Sequence, residues 1–381
     1  MPHRDRTFLS SPHMSGREQK YIQEAFDLNW VAPLGNNVNG FEEELATYNN
    51  ISNVAVLTSG TAAIHLALRL LGVTPEDTVF VSSLTFVASA NPILYEKATP
   101  ILIDSEPETW NMSPEALERA LTDAKEEGKL PKAVIIVHLY GQSAKIDELL
   151  RVCQSFNVPV IEDAAESLGS EYKGQKSGTH SDFGIYSFNG NKIITTSGGG
   201  ALIANNEEAI QKARFLSTQA RDPALHYQHS EIGYNYRMSN IVAGIGRGQL
   251  EVLDERVAQR RAVFDRYEEA FANVFGVTFQ PELEGTKSNR WLTALTIDPE
   301  VTGVNRTEII ERLETENVEA RPVWKPMHLQ PLFEGAAYYP HEEGNSVSDK
   351  LFEQGMCLPS GSNMTKEQQD KVISIVSEFL L

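Results

Sequence analysis

The sequence predicts an α/β protein with a mostly parallel central sheet flanked by helices, followed by a smaller C-terminal α+β domain. Two observations carry this expectation. Between about residues 50 and 220, short β-rich runs alternate with amphipathic stretches, the pattern of a parallel sheet buried on both faces. After about residue 238 the alternation gives way to a long helical span and then to isolated strands and helices. At 381 residues the chain can build a large core without covalent staples. The expected division is a large domain over 1–265 and a small one over 266–381.

Taken in order, Val54–Leu57 reads as a strand and Ala62–Leu71 as the helix that follows it. Thr78–Val81 and Thr99–Ile103 read as strands separated by a Phe86–Tyr95 helix. Ser113–Glu127 fits a capped helix, with Ser113 ahead of Pro114 at the first helical position. Ala133–His138 is a β-rich run, Ala144–Phe156 a helix, and Val158–Glu162 and Asp182–Phe188 are strands. Met238–Val274 is helical, and its charges (Glu251, Asp254, Glu255, Arg256, Arg260, Arg261) suggest a solvated or dimer-facing helix face. Beyond it come strands Trp291–Ile297 and Val318–Ala320, then helices near Thr307–Glu316 and Lys366–Leu380.

Composition narrows the chemistry. The 33 basic and 52 acidic residues leave a net charge of −19, which argues against nucleic acid or an anionic membrane as partner. An anionic ligand must therefore meet a local basic or amide-lined pocket. Two cysteines, Cys153 and Cys357, are too few for a disulfide framework or a thiolate cluster and read as inert core thiols, and no metal site is expected. No apolar secretion run opens the chain and no stretch approaches a membrane span, so the expected location is cytoplasmic. The dinucleotide, P-loop and H-E-x-x-H motifs are absent; the glycines Gly244-Ile245-Gly246-Arg247-Gly248 sit inside a helical pattern.

Three strand ends carry groups suited to one job, at the edge where open α/β sheets bind ligands. Thr58-Ser59-Gly60-Thr61, between a strand and a helix, offers amides and hydroxyls to a phosphate. Glu162-Asp163-Ala164-Ala165-Glu166 puts acids at the end of a buried strand, where a carboxylate needs a cation or several donors. One such partner is a protonated pyridine nitrogen, which an ionised Asp keeps charged so that the ring acts as an electron sink. Ser187-Phe188-Asn189-Gly190-Asn191-Lys192 holds a lysine in a turn of small residues, ahead of Thr195-Thr196-Ser197-Gly198-Gly199-Gly200. A buried site lowers a lysine's basicity and frees the amine for Schiff-base chemistry. Taken singly, these are also a helix cap, a capping acid and a surface lysine. Together they are the three fixtures that pyridoxal phosphate requires.

With these and three further stretches, Trp30–Gly35, His138-Leu139-Tyr140-Gly141-Gln142 and Arg321–His328, the chain resembles the DegT/DnrJ/EryC1/StrS sugar aminotransferases over nearly its whole length. Those are fold-type I pyridoxal phosphate enzymes, and the chain looks most like their UDP-4-amino-sugar, bacillosamine-type branch. The resemblance implies Lys192 as the Schiff-base lysine and Asp163 as the pyridinium partner. It further implies Glu166 on the cofactor's phenolic oxygen and Phe86 on its ring. Gly60, Thr61 and Ser187 would hold the phosphate, joined by Asn235 from a second subunit of a homodimer with shared active sites. The N-terminal segment 1–40 would contribute to the site entrance. Pro33, Leu34, Asn37, Arg237, Arg321, Lys325 and His328 are the implied substrate contacts. The implied reaction moves an amino group from L-glutamate to C4 of a UDP-linked 4-keto-6-deoxy-N-acetylhexosamine. A 3-keto-sugar or dTDP-sugar aminotransferase, and a non-catalytic sensor that binds pyridoxal phosphate, are the alternatives. Ser197-Gly198-Gly199-Gly200 stands where many members have Gly-Glu-Gly-Gly. Lys192 differs from the histidine of the family's dehydratases, which disfavours deoxygenation.

Overall fold

The protein is described from a computed structural model covering residues 6–381. Seven strands build the main sheet: β1 (Asn53–Leu57), β2 (Thr78–Ser82), β3 (Thr99–Ile103), β4 (Ala133–Val137), β5 (Val160–Asp163), β6 (Phe183–Ser187) and β7 (Gly200–Ala204). Their order is β1-β7-β6-β5-β4-β2-β3, and the short strand Tyr338–Tyr339 adds in parallel beside β3. Strands β2 to β6 pair in parallel, while β7 runs against both β1 and β6. Every residue of β4 is buried. Alternate residues enter opposite cores: Ala55 and Leu57 join one, Val54 and Val56 the other. Burial on both faces is why these strands read as near-continuous apolar runs.

Among the described residues, nine helices accompany the sheet: α1 (Glu18–Asp27), α2 (Asn36–Asn49), α3 (Gly60–Leu70), α4 (Asn91–Tyr95), α5 (Pro114–Glu126), α6 (Ile146–Ser155), α7 (Glu207–Ser217), α8 (Asn240–Leu250) and α9 (Leu253–Phe271). α3, α4 and α7 cover one face, and α5, α6, α2 and α8 the other. Ser113 caps α5 by accepting from the Ala116 N–H, with Pro114 opening the helix, as the sequence suggests. The expected Phe86–Tyr95 helix instead splits into a 3-10 turn, Val87–Ser89, and α4. Pro92 has no N–H, so the hydrogen-bond ladder cannot run through it. The span Met238–Val274 is two helices, α8 and α9. The glycines of α8 are packing sites: a Cβ at Gly248 would lie 2.6 Å from the Glu18 nitrogen, and one at Gly246 would strike the Phe41 ring. Their absence of side chains lets α1 and α2 lie close on α8.

The second core is formed by an antiparallel sheet of β8 (Val277–Phe279), β9 (Thr293–Ile297), β10 (Arg321–Pro322) and β11 (Gly355–Leu358), in the order β8-β9-β11-β10. Helices α10 (Arg306–Thr315) and α11 (Lys366–Leu380) pack against it, with Phe264, Tyr267 and Phe271 from the second half of α9. The expected Val318–Ala320 strand is displaced: Val318 pairs only with Thr7, and β10 begins at Arg321. The N-terminal segment thus runs along this unit, where Leu9 accepts from the Ser360 N–H, and reaches α8, where His13 accepts from Gln249. The charged face of α9 also departs from expectation, because Arg256 and Arg260 are buried. Cys153 and Cys357 are both buried free thiols, pushed up to about 12 by burial.

Candidate active site

β1, β5 and β6 point the same way, so their carboxyl ends open on one edge of the sheet. A cleft of about 380 Å³ lies there, and Gly60, Thr61, Phe86, Asp163, Glu166, Ser187 and Lys192 all line it. Seven positions singled out in the sequence therefore meet at one place. A larger hollow of about 740 Å³, beside the opposite end of β5, is lined by Leu150, Asn157, Asp182 and Asn205 among others and includes none of these seven.

Lys192 follows β6 in a tight turn, its N–H bonded to the Asn189 carbonyl at 3.0 Å. Its Nζ stands 3.7 Å from Glu166 Oε1 and 3.9 Å from the centroid of the Trp291 ring. Burial pushes the amine's pKa down, against the opposing pull of Glu166 and Asp163. The Glu166 carboxyl is pushed up to about 7 by burial, with Lys192 and the Tyr140 N–H acting the other way. That N–H donates to Glu166 Oε2 at 2.7 Å, from a residue held at φ 55° in the left-handed region. The adjoining Gly141 has no room for a side chain, since a Cβ would collide with Asn289. The His138–Gly141 stretch therefore forms a tight buried turn beneath Glu166.

Strand alternation separates the two acids of β5. Asp163 lines the cleft: its Oδ2 accepts from Ser89 Oγ at 2.6 Å and its Oδ1 from the Ala165 N–H at 3.1 Å. Ser89 is tied to Thr85 at 2.7 Å. Glu162 is fully buried away from the cleft, where His138 Nε2 lies 2.9 Å away and the N–H groups of Gly178, His180 and Ser181 donate to it. Burial alone would raise its pKa, but His138 and these amides hold it below the usual value.

The third wall is the start of α3. Ser59 Oγ accepts from the Ala62 N–H at 3.0 Å, leaving the earlier N–H groups of the first turn without intrahelical acceptors. A Cβ on Gly60 would sit 3.3 Å from the Ser187 Cβ, and one on Gly200 would strike Ser59 and Gly60. Phe86 is 53 % exposed at the cleft, 5.6 Å from the Trp324 ring. An anion-binding helix end, an aromatic face, a buried carboxylate and a buried amine suit a planar, phosphate-bearing aldehyde such as pyridoxal phosphate.

The other expected residues lie elsewhere. Asn235 is exposed on a segment beside β1, where Thr58 N–H donates to Tyr236, and does not line this chain's cleft. Pro33, Leu34, Arg321 and Lys325 are exposed, with Arg321 paired to Glu319 at 2.9 Å. Asn37 lies inside α2 and is 1 % exposed, with its side chain donating to the Tyr21 carbonyl and accepting from Arg247. Arg237 is likewise committed to Glu42 and the Val56 carbonyl. His328 stacks on Tyr338, with Ser83 Oγ 2.7 Å from Nδ1 and Asp349 2.8 Å from Nε2. Among cleft-lining residues, sequence reasoning missed Ser89 and Trp291. Neither lies in a motif that signals its place.

Sheet and cleft together match the fold of the aminotransferases and suit their pyridoxal phosphate. The chain belongs to the DegT/DnrJ/EryC1/StrS aminotransferase family, which it matches over residues 12–377. It is 63 % identical over 369 residues to EpsN of Bacillus subtilis (strain 168), whose name assigns it provisionally to the pyridoxal phosphate-dependent aminotransferases; the match covers 97 % of this chain and 94 % of EpsN. GDP-perosamine synthase of Caulobacter vibrioides is 36 % identical, covering 99 % of each chain. The structure of a DegT DnrJ EryC1 StrS aminotransferase from Brucella abortus superposes with a TM-score of 0.88 at 28 % identity, over 96 % of this chain and 95 % of that one.

Proposed function

We propose that this sugar aminotransferase moves an amino group from L-glutamate to C4 of a UDP-linked 4-keto-6-deoxy-N-acetylhexosamine. The products are 2-oxoglutarate and UDP-4-amino-4,6-dideoxy-N-acetylhexosamine. The observation that carries the chemistry is the buried Lys192 amine facing Glu166 in the cleft that Asp163 and the start of α3 also line. When bound, pyridoxal phosphate supplies an electron sink for the bond that breaks at the donor carbon. Lys192 would hold it covalently and, once displaced, carry a proton on Nζ as general base and acid. Asp163 would keep the ring nitrogen protonated, with Ser89 and the Ala165 N–H fixing the carboxylate. Glu166 would face the phenolic oxygen and Phe86 the ring. Gly60, Thr61 and Ser187 would bind the phosphate, joined by Asn235 of a second subunit in a homodimer. Pro33, Leu34, Arg321 and Lys325, on exposed segments, are the proposed sugar-nucleotide contacts. We place the reaction in the cytoplasm; no helix among the described residues is long and apolar enough to cross a membrane.

Support for a UDP sugar comes from the sequence likeness to the bacillosamine-type branch. It also comes from a Campylobacter jejuni relative named UDP-4-amino-4,6-dideoxy-N-acetyl-beta-L-altrosamine transaminase, 33 % identical over 307 residues. A GDP-linked sugar is the second reading, favoured by the 36 % identity to GDP-perosamine synthase over a longer match. Incubating the holoenzyme with L-glutamate and UDP-, GDP- or dTDP-linked keto sugars decides between them. Formation of the UDP-4-amino sugar with one equivalent of 2-oxoglutarate is expected, with ping-pong kinetics. Turnover restricted to the GDP-linked sugar moves the assignment, and cofactor binding without turnover of any sugar points to a sensor.

A further inference from the structure

The carbonyl of Asn191, one residue before Lys192, is shared by two side chains from remote parts of the chain. Ser10 Oγ and Trp291 Nε1 each donate to it at 2.6 Å. Arg260 closes the ring, donating to Ser10 Oγ at 2.8 Å and to the Trp291 carbonyl at 2.8 Å. Asn289 fixes the Trp291 N–H at 2.8 Å, and Trp291 is 2 % exposed. The same indole that grips the backbone before Lys192 presents its ring face to the lysine, 3.9 Å from centroid to Nζ. An ammonium over an indole face is attracted by the ring quadrupole.

We infer that Trp291 is a positioning residue for Lys192: its N–H anchors the backbone ahead of the lysine, and its face supports the amine whenever that amine is not bonded to the cofactor. A lysine on a long flexible stem that must leave and return needs a defined resting place within reach. The inference rests on the proposed role of Lys192 as the cofactor-bearing amine.

The test is pH-dependent competitive acylation of the full chain freed of cofactor, with Lys192 labelling read by peptide mass spectrometry. Trp291→Phe keeps a ring face, and its labelling midpoint stays close to that of the parent chain. Trp291→Met fills apolar space without a ring, and its midpoint falls by roughly half to one pH unit as the ammonium loses its support. Chain grown with fluorinated tryptophan has the same shape and a weaker quadrupole, and its midpoint falls in the same direction; this measurement decides even where a substitution prevents folding. Loss of the N–H anchor is read separately, as faster hydrogen exchange in the 189–192 turn of Trp291→Phe. Unchanged midpoints in the Met and fluorinated chains, or unchanged exchange in the Phe variant, overturn the inference. Failure of the parent reading has its own signature: borohydride reduction of the loaded parent chain that fixes cofactor somewhere other than Lys192.

Discussion

Glu162 and Asp163 are adjacent in β5, yet one is locked by His138 and three amides while the other faces the cleft with Ser89 at its back. Asp163→Asn should retain cofactor and slow turnover by roughly a hundredfold or more, since a neutral amide cannot hold the ring proton; rates within a few-fold of the parent would exclude the electron-sink role. Glu166 gives a pH-dependent prediction. Burial raises its carboxyl from 4.5 to about 7, so between those values the folded chain keeps a proton that the unfolded chain releases. Stability from this group is present at low pH and is lost as pH rises through that window. In cofactor-free chain, the Tm of Glu166→Gln relative to the parent should therefore climb from about pH 5 to 7 and then level off. A flat difference in a thermal-shift series contradicts the buried-acid assignment. Lys192 and Asp163 are legible as cleft residues because their segments, each ambiguous alone, point to one chemistry when taken with Thr58–Thr61. Trp291 is not: it reaches Asn191 across 100 residues, and nothing in its own neighbourhood announces the contact.

Among the elements, the sheet and its following helices are readable because strands buried on both faces are apolar throughout. α2 is not, for its Asn36-Asn37-Val38-Asn39-Gly40 start is poor in helix formers. The burial of Arg260 in α9 is not legible either: a charge in a helical pattern normally faces water, and its partners, Ser10 Oγ and the Trp291 carbonyl, are remote in sequence. The close packing of α1 on α8 gives a test at this scale. Gly248→Ala should cost about 1–3 kcal/mol, because the new Cβ meets the Glu18 backbone rather than a yielding side chain. Denaturation and hydrogen exchange over Glu18–Asp27 report it, and an unchanged midpoint with unchanged exchange would show that the helices can part freely.

For the whole molecule, the proposed homodimer makes each active site a joint property of two chains. Asn235 lies outside this chain's own cleft, and exposed apolar side chains occur at Trp30, Val31 and Leu34 and again at Leu225, Tyr227 and Ile232. If Asn235 serves the partner, mixing inactive Lys192→Ala with weakened Asn235→Ala subunits should regenerate one intact site per mixed dimer, about a quarter of parental sites after random exchange. Activity no greater than the average of the separate variants would place Asn235 elsewhere. All of this depends on where the cofactor is attached. Borohydride reduction of the loaded enzyme followed by peptide mapping measures that directly: one added cofactor mass per chain is expected, on the peptide that carries Lys192. Reduction that leaves this peptide unmodified, or marks a different lysine, contradicts it.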